Sequence, residues 1–99
     1  MTDFTVRVEL HGASSMDYDA LHELMEIYEF RRYVVGIDVG GQNGQWKLPS
    51  AEYDYTSLED SFAVRDRVKT LADSVKPGAW VLVTAVAGRA WSTEKIKSG

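Results

Sequence analysis

Arg7, Glu9 and His11 recur at every second position within Phe4-Thr-Val-Arg-Val-Glu-Leu-His11. Successive residues of a strand point to opposite faces, so this spacing puts all three side chains on one face. A guanidinium, a carboxylate and an imidazole are the types that phosphodiester cleavage requires. Arg7 would stabilise developing charge, His11 would act as general acid or base, and Glu9 would orient either of them. Two residues of strand span about 6.5 to 7 Å, so Arg7 and His11 sit too far apart to grip one phosphate unaided. The same row also suits a solvent face whose cross-strand ion pairs contribute a few tenths of a kcal/mol each.

Other residues extend this candidate set. Glu52, Tyr53, Asp54 and Tyr55 would lie nearby on a neighbouring strand, and Arg32 supplies a candidate phosphate contact. Arg32 and Tyr53 are therefore the expected RNA-binding residues. Trp46, Tyr53, Tyr55, Trp80 and Trp91 could stack nucleobases. Aromatic strand residues also serve as core or dimer contacts, and the RNA-recognition-motif signature is absent. No metal and no cofactor is expected. The two histidines, His11 and His22, have no paired ligand spacing, and the chain contains no cysteine. Gly40-Gly-Gln-Asn-Gly44 leads towards a strand rather than a helix, so it reads as a hairpin tip and not a phosphate cradle. No serine sits in a Gly-x-Ser-x-Gly elbow.

The elements that position these residues follow from periodicity. Phe4 to His11 alternates apolar and polar residues as a half-buried strand. A helix is expected from Asp17 to Glu29, capped by Ser15 or Asp17. Its core stripe is Leu21, Leu24, Met25 and Tyr28, with His22 facing outward. Tyr33 to Val39 is β-branched and reads as a second strand. A third runs through Gln45 to Leu48, is interrupted at Pro49, and resumes from Ala51 to Tyr55. Ser61 to Val75 is a second helix with Val64, Val68, Leu71 and Val75 inward and Asp60 or Ser57 as its cap. Pro77-Gly78 stops it. Ala79 to Ala87 is a last strand that is apolar on both faces, as expected when both are covered or one meets another subunit. The order strand, helix, strand, strand, helix, strand predicts an α+β fold of the ferredoxin-like βαββαβ type. That arrangement is a four-stranded antiparallel sheet with two helices on one face. Residues 1–91 make the single domain, and 92–99 a polar tail.

Ninety-nine residues leave room for one core. A net charge of −4 argues against broad, non-specific nucleic-acid binding, which needs a basic footprint. It leaves room for a local basic site such as Arg31-Arg32 or Arg65, Arg67 and Lys69, although such clusters also serve as solvated helix charge. No apolar stretch reaches the roughly 18 residues of a membrane span. The first residues lack a signal-peptide pattern. A cytoplasmic protein without membrane contact is expected.

Three segments carry a family resemblance: Phe4 to His11, Leu48-Pro-Ser-Ala-Glu-Tyr53, and Leu82-Val-Thr84 with Gly88-Arg-Ala-Trp91. Together they resemble the GhoS-like endoribonuclease antitoxins of type V toxin–antitoxin systems, a family of small bacterial and prophage proteins. The resemblance implies a ferredoxin-like fold and cleavage of messenger RNA. It carries over no catalytic residue, because the related CRISPR nuclease has an acidic metal ligand where this chain has Leu10-His11. The expectation is thus a GhoS-like RNA-directed regulator and endoribonuclease. The alternative is a non-catalytic phage or prophage module that binds a host protein through its acidic surface. A homodimer that consumes the open sheet face is the third reading.

Overall fold

In a computed structural model, which describes residues 1–37, 43–48 and 51–87, the chain forms two helices and five strands. The elements are β1 (Thr2–Glu9), α1 (Ser15–Ile27), β2 (Tyr33–Ile37), β3 (Asn43–Lys47), β4 (Glu52–Ser57), α2 (Ser61–Val75) and β5 (Trp80–Ala85). The fold is α+β. β1 lies between β4 and β5, antiparallel to both. β2 and β3 pair as a separate antiparallel ladder.

The alternation of β1 explains which of its faces is buried. Phe4, Val6, Val8 and Leu10 are all buried, and both helices join them in one core. α1 contributes Leu21 and Met25, and α2 contributes Val64, Val68 and Ala72. β4 adds Tyr53 and Tyr55 to the same cluster. Each fully buried aliphatic or aromatic side chain contributes about 1.5–3 kcal/mol, so a row of four such residues dominates which way β1 must face.

Local signals set the helix ends. Ser14, one residue earlier than expected, caps α1, and its hydroxyl accepts from the Asp17 amide. The Asp17 carboxylate accepts from the Ser14 amide in return, completing a capping box. The C-terminus of α1 closes differently from the expected run to Glu29. Glu29 takes a positive φ of 70°, its amide donates to Glu26, and the Phe30 amide donates to Met25. These two bonds are the Schellman pattern. Phe30 then enters the core and stacks on Tyr55, with ring centroids 4.0 Å apart. Asp60 caps α2 by accepting from the Ala63 amide.

Three other expectations change. The third strand is two strands in different ladders: β3 pairs with β2, and β4 pairs with β1. Thr56 and Ser57, expected in a connection, extend β4 because they pair with Asp3 and Thr2. Tyr28, expected in the core, is exposed because α1 ends at Ile27 and the chain turns away. Trp91, Pro49, Val39 and the loop tip at 40–42 fall outside the described residues, as does the expected tail.

Candidate functional site

The helices cover one face of β4-β1-β5 and leave the other to the polar residues of β1. The register defines that face row by row. Arg7 is flanked by Glu52 on β4 and Leu82 on β5. Thr5 is flanked by Asp54 and Thr84, and Glu9 lies opposite Trp80. β5 alternates in step with its neighbour. Val81 and Val83 pack towards the core, while Trp80 and Leu82 are exposed. The expectation that β5 is apolar on both faces is met in residue type. Its outer face, however, lies open.

Arg7, Glu9, Trp80, Val81 and Leu82 together line a shallow depression of about 310 Å³. The Arg7 side chain makes no hydrogen bond or ion pair among the described residues. β1 stops pairing at Glu9, so His11 lies beyond the strand and not on its row. It still reaches the same end of the face. Its Nδ1 lies 3.1 Å from the Gly78 carbonyl, its Nε2 lies 3.5 Å from a Glu9 oxygen, and its ring meets Trp80 edge-on at 4.4 Å between centroids. A carbonyl can only accept, so Nδ1 carries the hydrogen. Nε2 is thereby directed at the Glu9 carboxylate, at a charge-contact distance too long for a good hydrogen bond.

The turn that presents Trp80 is held by Asp73. Its carboxylate accepts from Lys69 Nζ at 2.9 Å, from the Gly78 amide at 3.2 Å and from the Ala79 amide at 3.1 Å. The hydrogen bond from Lys69 is the main cause that holds this carboxyl below its ordinary range, and the two amides add to it against desolvation. Lys69 also donates to the Ala79 carbonyl. Gly78, at φ 87°, takes a backbone conformation that favours glycine. One clasp therefore fixes both the carbonyl that orients His11 and the start of β5.

The remaining expected site residues lie elsewhere. Tyr53, expected to contact RNA, is wholly buried on the helix side of the sheet, because its position on β4 has the opposite parity to Asp54. Its hydroxyl lies 2.7 Å from His22 Nδ1. Tyr55 is buried on the same side, and its hydroxyl accepts from Arg67. Neither ring can stack a base on the open face. His22, expected outside, is buried with Tyr53. Burial, then the positive charge of Arg32, lowers its pKa, while Asp19 and Glu26 oppose the shift. Burial likewise raises the Tyr53 pKa. Arg32 is exposed but does not line the depression. Asp54 lies on the polar face yet is buried by an ion pair with Arg31. Glu52 stays beside Arg7.

Sequence reading counted Trp80 among five aromatic residues that could stack nucleobases but did not place it beside Arg7 and Glu9, and it missed Leu82. The signal that finds them is the alternation Trp80-Val81-Leu82-Val83-Thr84 read against β1 in antiparallel register. No group of three or more His, Asp and Glu side chains is arranged to hold a metal among the described residues. No helix among them is long and apolar enough to cross a membrane. Comparison with known proteins finds no family model, curated protein or solved structure that matches this chain.

Proposed function

We propose that this protein is a GhoS-like RNA-directed regulator that engages single-stranded RNA on the open face of β4-β1-β5. The observation that carries this reading is the depression in which Arg7, Glu9, Trp80 and Leu82 meet, with His11 at its rim. A guanidinium beside an exposed ring suits a phosphate next to an unstacked base. The bridge between Arg31 and Asp54 brings the start of β2 beside β4. It supports reading the whole as a ferredoxin-like fold with β2 as a fourth neighbour.

Cleavage on this face would proceed by attack of the ribose 2′-oxygen on phosphorus. The P–O5′ bond breaks, leaving a 2′,3′-cyclic phosphate and a 5′-hydroxyl. His11 Nε2 would take the 2′-hydroxyl proton, Glu9 would support the resulting imidazolium, Arg7 would meet the charge growing on the phosphate, and a solvent water would protonate the departing 5′-oxygen. The test is incubation of the purified protein with structured and unstructured RNAs, with and without EDTA. Wild type is expected to cleave in both, and His11→Ala to lose at least 100-fold in rate. Cleavage by His11→Ala at the wild-type rate would remove His11 from the chemistry.

A second reading rests on the same exposed Trp80 and Leu82. Tryptophan anchors are frequent in protein interfaces, and a net charge of −4 suits a basic partner surface. Recovery of a stoichiometric host protein without RNA in a pull-down would favour it.

A further inference from the structure

Building on the RNA reading above, we infer that the depression beside Trp80 is a guanine-selective base site, with Glu9 as its reader and Arg7 on the adjoining phosphate. Three observations converge on it. Trp80 is 67% exposed on the outer side of β5, next to Leu82 at 60%. Its ring meets His11 at 85° between planes, His11 is itself anchored to the Gly78 carbonyl, and most of the indole stays exposed. An exposed aromatic face is a stacking platform open to any base.

Selectivity comes from the group next to that platform. Glu9 stands opposite Trp80 in the β1–β5 register, and its side chain is 59% exposed. An ionised carboxylate is acceptor-only and offers about four lone-pair sites across two oxygens. One oxygen faces His11 at 3.5 Å, which leaves most of that capacity unused. A carboxylate matches a base edge that presents two adjacent donors. Guanine does so with N1–H and the N2 amine. Adenine and cytosine each set a ring-nitrogen acceptor beside their amine, and uracil flanks N3–H with two carbonyls. Against Glu9, those acceptors repel. This is Watson–Crick-edge reading of an unstacked base, the usual route to sequence preference in single-stranded RNA.

The size and charge of the site agree. About 310 Å³ lies at the lower end of the roughly 300–1,000 Å³ of small-molecule pockets, which fits one base rather than a folded partner. Arg7 stands two residues along β1 on the same face, about 6.5 to 7 Å from Glu9 along the strand. That offset is of the order of the step from a base to its backbone phosphate. A chain with net charge −4 has little general attraction for RNA, so this recognition must rest on local contacts.

The experiment titrates the full chain with fluorescein-labelled UUGUU, UUAUU, UUCUU and UUUUU by anisotropy. Every residue carries 2′-fluoro so that no 2′-oxygen can attack. The guanine oligomer is expected to bind at least 10-fold tighter than the other three. Glu9→Gln should reduce that preference to less than 3-fold, because its amide puts a donor where guanine also donates. Trp80→Ala should weaken every oligomer about 10-fold, and Trp80→Phe should restore most of the loss. Circular dichroism of each variant separates loss of binding from loss of fold. Equal binding of all four oligomers that still depends on Trp80 would overturn the guanine assignment and leave the RNA reading standing. A guanine preference that survives Glu9→Gln would remove Glu9 as the reader. Absence of binding to any oligomer would overturn both, and sedimentation would then show whether Trp80 instead holds two copies together.

Discussion

His22 shows how one buried side chain can tie stability to pH. Its Nδ1 faces the Tyr53 hydroxyl at 2.7 Å in the core between α1 and β4. With Tyr53 donating, the neutral ring accepts through Nδ1. A second proton would cancel that acceptor and place a cation in a desolvated site already near Arg32. The pKa of His22 is lowered on folding, so the unfolded chain binds the extra proton more readily. Stability from this residue is therefore complete above the unfolded value of about 6.5. It declines as pH falls from there through the folded pKa. Urea titrations at pH 7.5 and pH 5.5 should show wild type losing stability at the lower pH. His22→Gln, which keeps an acceptor for Tyr53 but has no such proton to bind, should lose less. Equal losses in the two proteins would show that His22 does not govern this window.

At the scale of elements, the site depends on turns more than on strands. β1 would form from its alternation alone, but His11 reaches Trp80 only because the α2–β5 turn presents the Gly78 carbonyl. That turn is shaped by Asp73, which gathers Lys69 and two backbone amides. The start of α1 relies on an equally local device, the reciprocal bonds between Ser14 and Asp17. Ser14→Ala removes the hydroxyl acceptor and should lower unfolding free energy by about 1 kcal/mol, within the usual range of roughly 0.5–2. Equilibrium denaturation in urea measures it. Because Ser14 is exposed and does not line the depression, RNA affinity should change little in the same variant. The turns were only partly legible. The sequence offered Asp60 or Ser57 as the cap of α2, and the structure takes Asp60. At α1 the run Ser14-Ser15 offers two hydroxyls in succession, and only backbone geometry distinguishes them.

For the whole molecule, charge decides how RNA would be held. With acidic residues exceeding basic ones by 4, long-range attraction to a polyanion is weak or repulsive. Among the described residues, the lining of the site offers one cation, Arg7. Each phosphate neutralised on a single strand contributes about −0.7 to the slope of log K against log salt. Binding should therefore show a slope of magnitude near ~1 rather than several. Arg7→Ala should flatten it further. Affinities for UUGUU at three salt concentrations test this, and a slope steeper than about −3 would require a basic surface beyond Arg7. Arg31 is engaged with Asp54, and Arg65 and Arg67 are engaged with Asp66 and Glu59, so those cations are largely compensated within the fold.

By itself, the sequence determined the elements whose hydrophobic period is long and clean. β1 has one buried face because four apolar residues in strict alternation point to the same side, under the helices. α2 was legible from Ser61 to Val75 for the same reason, and the α+β class followed from element order. Tertiary structure alone decided which partners each strand took, and hence which face each side chain occupies. Tyr53 and His22 looked like surface groups because their polar tips suggest solvent. Paired with each other at 2.7 Å, those tips satisfy one another and allow both rings into the core. Trp80 could be read as a base-stacking, core or dimer residue, and the β1–β5 register turns it outward beside Glu9. The Arg7, Glu9 and His11 row was visible in the chain. Its meeting with Trp80 depends on a contact between residues 11 and 78, and no local pattern encodes a pairing across that separation.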